Sequence, residues 1–272
     1  MESASKSVVN HIAILGMSFS GSTIFNYCLG SMPECATINE SHWLVDEHSS
    51  DNPLTCVHCG TACKVLNEAF KQSLKDSSTH YGDISSQLGC STLISSDKEL
   101  FIYDRLDPGK QYKPIILFKD PVYQMNSWLN ATGQPSDIDT LSAYLTFYTD
   151  KHKLYLERLD ELGSQYIIDI NVFQHRPELV LKAVTRQLGI CYDKSWQQYW
   201  VKINHCIGGN FNPYTLAAEE QFSRLVVSPR RPPFFSSKLV RALRDHRPAQ
   251  ELYLELKERQ NSFLKANASL VD

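Results

Sequence analysis

One feature constrains the fold of this chain more than any other: a short apolar run ends in a glycine-rich turn and leads at once into helical apolar spacing. Residues 11–15 are His-Ile-Ala-Ile-Leu, Gly16 opens the turn, and residues 22–29 carry apolar side chains at helical intervals. This order predicts a buried strand, a tight loop and a helix. Further apolar runs of strand length are separated by segments with room for helices, and they cover residues 100–103, 114–118 and 165–169. The alternation predicts an α/β fold with a mostly parallel central sheet and helices on both faces.

The rest of the chain predicts one domain. Beyond the first helix, the main helices are expected over residues 60–75, 137–162, 177–188 and 237–265, with a proline in the first turn of the third. A chain of 272 residues without repeats or linkers fits a single P-loop-like domain over residues 1–272, with residues 1–9 as a flexible tail. No run of 18 apolar residues exists and the N-terminus carries no signal pattern, so we expect a cytoplasmic protein.

The net charge of the chain limits the classes of partner that it can attract. The formal net charge is -3, which argues against general attraction to nucleic acid or to acidic membranes. We therefore expect neither partner, and any anion site must be built locally.

The turn after the first predicted strand, Gly16-Met-Ser-Phe-Ser-Gly-Ser-Thr23, has the G-x-x-x-x-G frame of a nucleotide P-loop. Backbone amides at a helix N-terminus can bind an anion there. ATP and GTP enzymes place a lysine after the second glycine to hold the β- and γ-phosphates, but this chain has Ser22. The loop thus predicts an anion site and disfavours a nucleoside triphosphatase; a plain tight turn is the alternative.

A second candidate phosphate site follows the strand predicted over 114–118. Lys119 ends that strand, an Asp-Pro pair follows, and Ser127 comes eight positions after the lysine. A strand-end cation and a helical hydroxyl one to two turns later can converge on one phosphate, and Pro121 pre-sets the turn. The alternative is a solvated lysine before an ordinary helix, but two phosphate elements in this order favour binding.

These segments resemble the sulfotransferases that use 3'-phosphoadenosine 5'-phosphosulfate (PAPS), in which an S-G-[ST]-[ST] loop holds the 5'-phosphosulfate and a strand-end base with a serine eight positions later holds the 3'-phosphate. The resemblance implies that the nucleotide contacts Ser18, Phe19, Ser20, Gly21, Ser22, Thr23, Lys119 and Ser127. Two departures stand out. Phe19 replaces an Arg or Lys common in the family, and Lys119 replaces the more usual Arg, which loses bidentate phosphate binding.

Weaker matches extend the resemblance from residue 11 to about residue 213. Residues 166–169 and 177–190 resemble the family's later strand, acidic loop and helix ending in Leu-Gly. His205-Cys-Ile-Gly-Gly-Asn210 resembles a stretch of a bacterial-type branch that helps close over the nucleotide, which adds Gly208, Gly209 and Asn210 to the predicted contacts. Read without the resemblance, Gly-Gly-Asn is a flexible turn.

The candidate base lies after a short strand predicted over 36–38. This segment resembles the family segment in which a strand-end glutamate reaches the acceptor, so Glu40 is the predicted base and His42 the alternative. Asp104, after the strand predicted over 100–103, takes the position of an Asp-Ser-Ser-Lys motif whose lysine is missing here.

Eight cysteines in a chain of this size favour reduced thiols. Cys56, Cys59 and Cys63 form C-x-x-C-G-x-x-C, which resembles a cysteine-rich insertion in some of these enzymes. Three thiolates could bind a structural zinc if a fourth ligand joined them, such as Cys35, Cys90 or His48. Only one C-x-x-C is present, so we expect no metal: packed free thiols are favoured, with a structural zinc as the first alternative and a disulfide as the second.

The resemblance implies direct in-line transfer of a sulfuryl group from PAPS to a hydroxyl or amine of a small acceptor, leaving the desulfated product PAP, without a catalytic metal. A metabolite or natural product is favoured as acceptor because no extended basic groove is evident. A degenerate, kinase-like P-loop phosphotransferase and a non-catalytic nucleotide-binding protein are the alternatives. No motif indicates the acceptor or the oligomeric state.

Overall fold

Five short strands form one parallel sheet in the order β2-β3-β1-β4-β5, flanked by helices. They are β1 (Asn10–Gly16), β2 (Cys35–Asn39), β3 (Thr92–Ser95), β4 (Lys113–Phe118) and β5 (Tyr166–Asp169). Almost all of their residues are buried. Strands covered on both faces need continuous apolar runs, which is why the sequence shows runs rather than alternation. The predicted α/β fold is confirmed.

The computed structural model describes residues 10–44, 56–67, 69–70, 72, 81–134, 137–202, 204–207, 240–242 and 245–268. These residues fall into two units. Unit 1 contains those within 10–14, 23–113 and 190–207, and unit 2 contains those within 15–22, 114–189 and 240–268. The single domain predicted over 1–272 stays a prediction.

Unit 1 holds β2, β3 and most of β1 together with three helices that the structure describes from end to end. In the parallel pairing, Thr92 lies opposite both Asn10 of β1 and Cys35 of β2. The helices are α1 (Ser22–Gly30), α2 (Tyr81–Leu88) and α3 (Leu100–Leu106), with 3-10 turns at Ser41–Leu44 and Lys194–Gln198. Helix α1 fills the core with the fully buried Phe25, Tyr27 and Leu29.

Two expectations for unit 1 are wrong. The strand predicted over 100–103 is the start of α3, and the strand of this region is β3. Helix α3 buries Ile102, Tyr103 and Leu106 while Phe101 is exposed, a pattern with the period of a helix. The four residues 100–103 are too few to show this period in the sequence. The helix predicted over 60–75 also fails at its start, where residues 56–63 form turns.

Unit 2 holds β4 and β5 together with five helices that the structure describes from end to end. These are α4 (Pro121–Thr132), α5 (Ile138–Glu161), α6 (Ile170–His175), α7 (Pro177–Leu188) and α8 (Arg247–Ala268). Capping residues fix the ends of these helices. Asp137 begins α5 by accepting the Thr140 amide at 2.8 Å, and Gly133 and Gly189, in the left-handed conformation, end α4 and α7. The helices predicted over 137–162 and 177–188 are confirmed. The one predicted from 237 is α8, which begins at Arg247.

None of the helices within the described ranges combines the length and the apolar character that crossing a membrane requires.

Candidate functional site

Two glycines shape the loop between β1 and α1. A Cβ on Gly16 would lie 2.7 Å from the Ser20 Oγ and 3.2 Å from the Leu117 carbonyl oxygen. Gly21 has a φ of +86°, and a Cβ there would lie 2.7 Å from the Ile170 Cγ1. A side chain at either position would collide with its neighbours, so the G-x-x-x-x-G frame is a packing requirement of this loop.

The loop carries a buried hydroxyl and leads into the first amides of α1. The Ser20 side chain is buried, and among the residues that the structure describes its hydroxyl has no hydrogen-bond partner. A buried hydroxyl without a partner costs free energy, and an anionic oxygen would remove that cost. Helix α1 begins at Ser22, so its first amides also lie at the end of the loop. Phe19 holds a φ of 66° and is 45% exposed.

Lys119 and Ser127 meet at the C-terminal end of β4. The Lys119 Nζ donates to the Ser127 Oγ at 2.8 Å. Asp120 caps α4 by accepting the Val122 amide at 2.9 Å, and Pro121 occupies the first helical turn. Because this cap starts α4 at Pro121, the helix places Ser127, eight positions after Lys119, beside the lysine side chain. The structure thus brings together the two predicted residues, and their contact with a phosphate stays a prediction.

Helices α4 and α5 brace this region. The Gln124 side-chain amide donates to the Ser18 carbonyl oxygen in the loop. The Tyr148 hydroxyl donates to the Lys119 carbonyl oxygen at 2.9 Å. The loop from Leu15 to Ser22 and the Lys119–Ser127 pair therefore belong to one unit.

Glu40 and His42 follow β2 in unit 1. The Glu40 amide donates to the Ile207 carbonyl oxygen at 3.1 Å, and its Oε1 lies 3.9 Å from the Lys98 Nζ. The His42 Nδ1 lies 3.1 Å from the Asp97 Oδ1, and the His42 amide donates to the same oxygen at 2.8 Å. Two carboxylates and two basic groups form an acid-base cluster, defined as Glu40, His42, Asp97 and Lys98.

Sequence analysis missed Asp97. Its side chain is fully buried, and its carboxylate also accepts the Ser41 amide and hydroxyl. Buried charges must be paired in this way. The Asp97 amide donates to the Tyr103 hydroxyl at 2.6 Å, which ties the residue to α3. A Thr-Leu-Ile-Ser strand directly before Ser-Asp-Lys was the available signal.

The position assigned to Asp104 is therefore corrected. Asp104 lies inside α3, and its carboxylate accepts the Tyr112 hydroxyl at 3.3 Å. The combination of hydroxyls, an acid and a lysine expected at a strand end occurs instead in Ser-Ser-Asp-Lys, residues 95–98, which begins with the last residue of β3. The error followed from taking α3 as the strand.

Opposing effects set the protonation of the cluster. Burial lowers the pKa of His42, but the hydrogen bond and charge of Asp97, together with the charge of Glu40, outweigh burial and raise it. Burial lowers the pKa of Lys98 against the attraction of Glu40 and Asp97. The contacts of Asp97 and Glu40 thus favour the protonated form of His42.

The structure describes only the first part of the predicted motif over residues 205–210. Gly208, Gly209 and Asn210 lie outside the described residues. His205, which begins that motif, lies beside the three cysteines, and its Nδ1 and the sulfur atoms of Cys56, Cys59 and Cys63 are all within 4.8 Å of one another. The fourth member of this group is His205, whereas Cys35, Cys90 and His48 were the examples offered for a fourth ligand, and His48 lies outside the described residues.

No family model and no curated protein sequence matches the chain. Among solved structures, it is similar to the sulfotransferase domain from the Synechococcus PCC 7002 olefin synthase, with a TM-score of 0.58 and 16% sequence identity. The similarity covers 87% of this chain and 94% of that one. At this identity the similarity establishes the fold, in agreement with the resemblance found in the motifs. The chain therefore has the fold of a sulfotransferase domain.

Proposed function

We propose that this protein is a PAPS-dependent sulfotransferase that transfers a sulfuryl group to a hydroxyl or amine of a small metabolite or natural product. The observation that carries the proposal is the Lys119–Ser127 pair, held at 2.8 Å in the same unit as a loop whose buried Ser20 hydroxyl has no hydrogen-bond partner in the part of the chain that the structure describes. PAPS carries anions at both its 3' and 5' positions, whereas ATP carries a single triphosphate. Two separate anion-binding elements suit the first nucleotide better.

The proposed reaction is a direct displacement at sulfur. The acceptor oxygen or nitrogen forms a bond to sulfur and passes its proton to the Glu40 carboxylate. The bond between sulfur and the bridging oxygen breaks, and the electron pair leaves with PAP. Amides of the loop and of the first turn of α1 stabilise the charge that develops on PAP. Lys119 and Ser127 hold the 3'-phosphate, so they contribute to binding and orientation.

Glu40 is the proposed base, and the neighbouring contacts suggest a different role for His42. The Nδ1 of His42 faces Asp97, and the raised pKa of His42 keeps a larger share of the imidazole protonated and unable to accept a proton. Lys98, 3.9 Å from Glu40, offers a positive charge to the ionised carboxylate. A carboxylate-oriented imidazole is nevertheless a common general base, so the His42–Asp97 pair is the specific second candidate.

Two other functions compete with this one. A phosphotransferase is disfavoured because Ser22 stands where the P-loop lysine would hold ATP phosphates. A non-catalytic nucleotide-binding protein is motivated by Phe19, which stands where many sulfotransferases place a cation. The contact between His42 and the buried Asp97, with the raised pKa of His42, favours the enzyme over this alternative, because perturbed acid-base groups cluster at catalytic sites.

Calorimetry with PAP, 5'-AMP and ATP, each with and without Mg²⁺, tests the proposal, followed by a screen of small acceptors with PAPS. We expect PAP to bind most tightly without Mg²⁺, and PAPS to be consumed with an acceptor. Tighter binding and turnover of Mg²⁺-ATP would establish the phosphotransferase. Tight PAP binding without sulfuryl transfer or sulfate release would establish the non-catalytic protein.

A further inference from the structure

The proposed reaction leaves one chemically reactive group of side chains in unit 1 unused. Cys56, Cys59, Cys63 and His205 form a cluster, named here the Cys3His cluster, in which Cys56 and Cys63 are buried and the other two are partly exposed. The cysteines and the histidine come from segments more than 140 positions apart. All eight cysteines of the chain are free thiols. Their convergence therefore needs a cause other than a disulfide.

We propose that the Cys3His cluster is a structural zinc site. The His205 Nδ1 lies 3.9 Å from the Cys56 sulfur, 3.7 Å from the Cys59 sulfur and 3.2 Å from the Cys63 sulfur. Tetrahedral zinc with ordinary Zn–S and Zn–N bonds separates sulfur from nitrogen by ~3.6 Å and sulfur from sulfur by ~3.8 Å. The observed distances scatter around the first value, so the nitrogen and the three sulfur atoms are spaced as ligands of one shared ion would be.

The backbone around the cysteines has the form that sulfur ligation requires. Gly60 follows Cys59 with a φ of +60°, and its amide donates to the Cys56 carbonyl oxygen at 2.7 Å, which closes the tight turn that brings Cys56 and Cys59 together. The Leu66 amide donates to the Cys63 sulfur at 3.1 Å. Amide donors to sulfur stabilise the thiolate that a metal needs.

Ligand number and type select zinc. Three sulfurs and one imidazole nitrogen are a closed four-ligand set, with no place left for a catalytic water. Soft thiolates with imidazole favour zinc over magnesium or calcium, which prefer oxygen. The site therefore holds structure together rather than supplying chemistry, and the proposal does not depend on the reaction.

The structure that such a zinc would hold together lies at the end of β2. The Val57 amide donates to the Cys206 carbonyl oxygen at 3.1 Å, beside the histidine ligand. The Ile207 amide donates to the Ile38 carbonyl oxygen at 2.9 Å, and the Glu40 amide donates to the Ile207 carbonyl oxygen at 3.1 Å. The ligand His205 is thus two residues from the hydrogen bonds that fix the backbone of Glu40. Zinc would act as a positioning group for this end of β2.

Metal analysis of the untagged protein tests the proposal. Elemental analysis should find about one zinc per chain, and reduced apoprotein should take up one equivalent of Zn²⁺ or Co²⁺. The Co²⁺ form should show thiolate-to-cobalt absorption and the strong visible bands of a tetrahedral site. Iron in place of zinc, failure of the reduced apoprotein to bind either added metal, or a mass lower by two hydrogens through a disulfide would each overturn the assignment.

Variants then assign the ligands. Cys63→Ser and His205→Ala should each lose most bound zinc, whereas Cys191→Ser, which changes an exposed cysteine outside the cluster, should retain it. If Cys63→Ser fails to fold, the Co²⁺ spectrum of His205→Cys decides the question, because a fourth sulfur should strengthen the thiolate absorption. An unchanged spectrum would exclude His205 as a ligand.

Hydrogen exchange tests the positioning role independently of activity. Chelation of zinc from the wild-type protein should speed exchange at the Glu40 and Ile207 amides. Amides in the middle of α8 should keep their protection, since that helix belongs to unit 2. Unchanged exchange at both amides would show that zinc, where bound, does not hold this segment.

Discussion

The region around Lys119 and the acid-base cluster around Asp97 are built by different kinds of contact. In the first, the contacts that bring Lys119 and Ser127 together are local: Asp120 caps its own helix, and the lysine reaches a serine eight positions away. In the second, Asp97 accepts hydrogen bonds from residues more than fifty positions earlier in the chain. The first region depends on loop and cap geometry, and the second depends on the packing of β2 beside β3.

This difference separates the two regions experimentally. Changes in the local region should alter nucleotide affinity and leave the proton chemistry intact. Changes in the acid-base cluster should alter turnover and pH dependence and leave nucleotide affinity intact. A variant that alters both quantities would contradict the division.

The largest effect is expected at Glu40. Glu40→Gln keeps the shape and removes the base, so turnover of PAPS with an acceptor should fall ~10²-fold or more while PAP affinity stays nearly unchanged. His42→Asn should cost far less. Steady-state kinetics and calorimetry measure the two quantities. A reversed ranking, with the acid limb of the rate profile following the histidine, would make His42 the base.

The next effect tests the local region. Lys119→Ala removes a charge-assisted hydrogen bond to the 3'-phosphate, so PAP should bind more weakly by roughly 1.5–3 kcal/mol while 5'-AMP changes little. Lys182→Ala is the control, because that partly exposed lysine lies in α7 and pairs with Glu178 at 3.0 Å. Calorimetry with both nucleotides measures the difference. Equal losses for PAP and 5'-AMP would give Lys119 another role.

A smaller effect concerns the shape of the loop. Gly21 and Gly189 have φ values of +86° and +71°, so alanine strains the backbone at either position by about 1 kcal/mol. Only at Gly21 does the new Cβ also meet a neighbour, at 2.7 Å from Ile170. Gly21→Ala should therefore lower the free energy of unfolding by about 1–2 kcal/mol more than Gly189→Ala in urea titrations. Equal costs would mean that the loop relaxes around the methyl group.

The smallest effect is the pH dependence of stability. Because the folded-state pKa of His42 is raised, its pairing with Asp97 stabilises the fold fully below the unfolded value near 6.5 and loses this effect as pH rises through the folded value. The stability difference between wild type and His42→Asn should shrink with rising pH. His175→Asn, at an exposed histidine of α6, provides the control. A difference that grows with pH would contradict the raised pKa.

The same division explains which parts the sequence could predict. Strand β1, the loop and α1 follow from apolar runs and glycine positions, and the Lys119–Ser127 contact follows from an Asp-Pro cap and helix geometry. Nothing local marks Asp97 as the partner of His42, because the contact exists only when β3 lies beside β2. The same holds for His205, whose motif suggested a nucleotide contact while the structure places it with three cysteines.

The hydrogen bond between Lys119 and Ser127 has a consequence for the thermodynamics of recognition. A long lysine side chain loses rotamer entropy when it is fixed, and folding has already fixed this one against a serine hydroxyl. A 3'-phosphate would meet a preorganised ammonium group and would not need to immobilise it. Binding of PAP should therefore carry a smaller entropic penalty in the wild-type protein than in Ser127→Ala, where the same lysine starts without that hydroxyl.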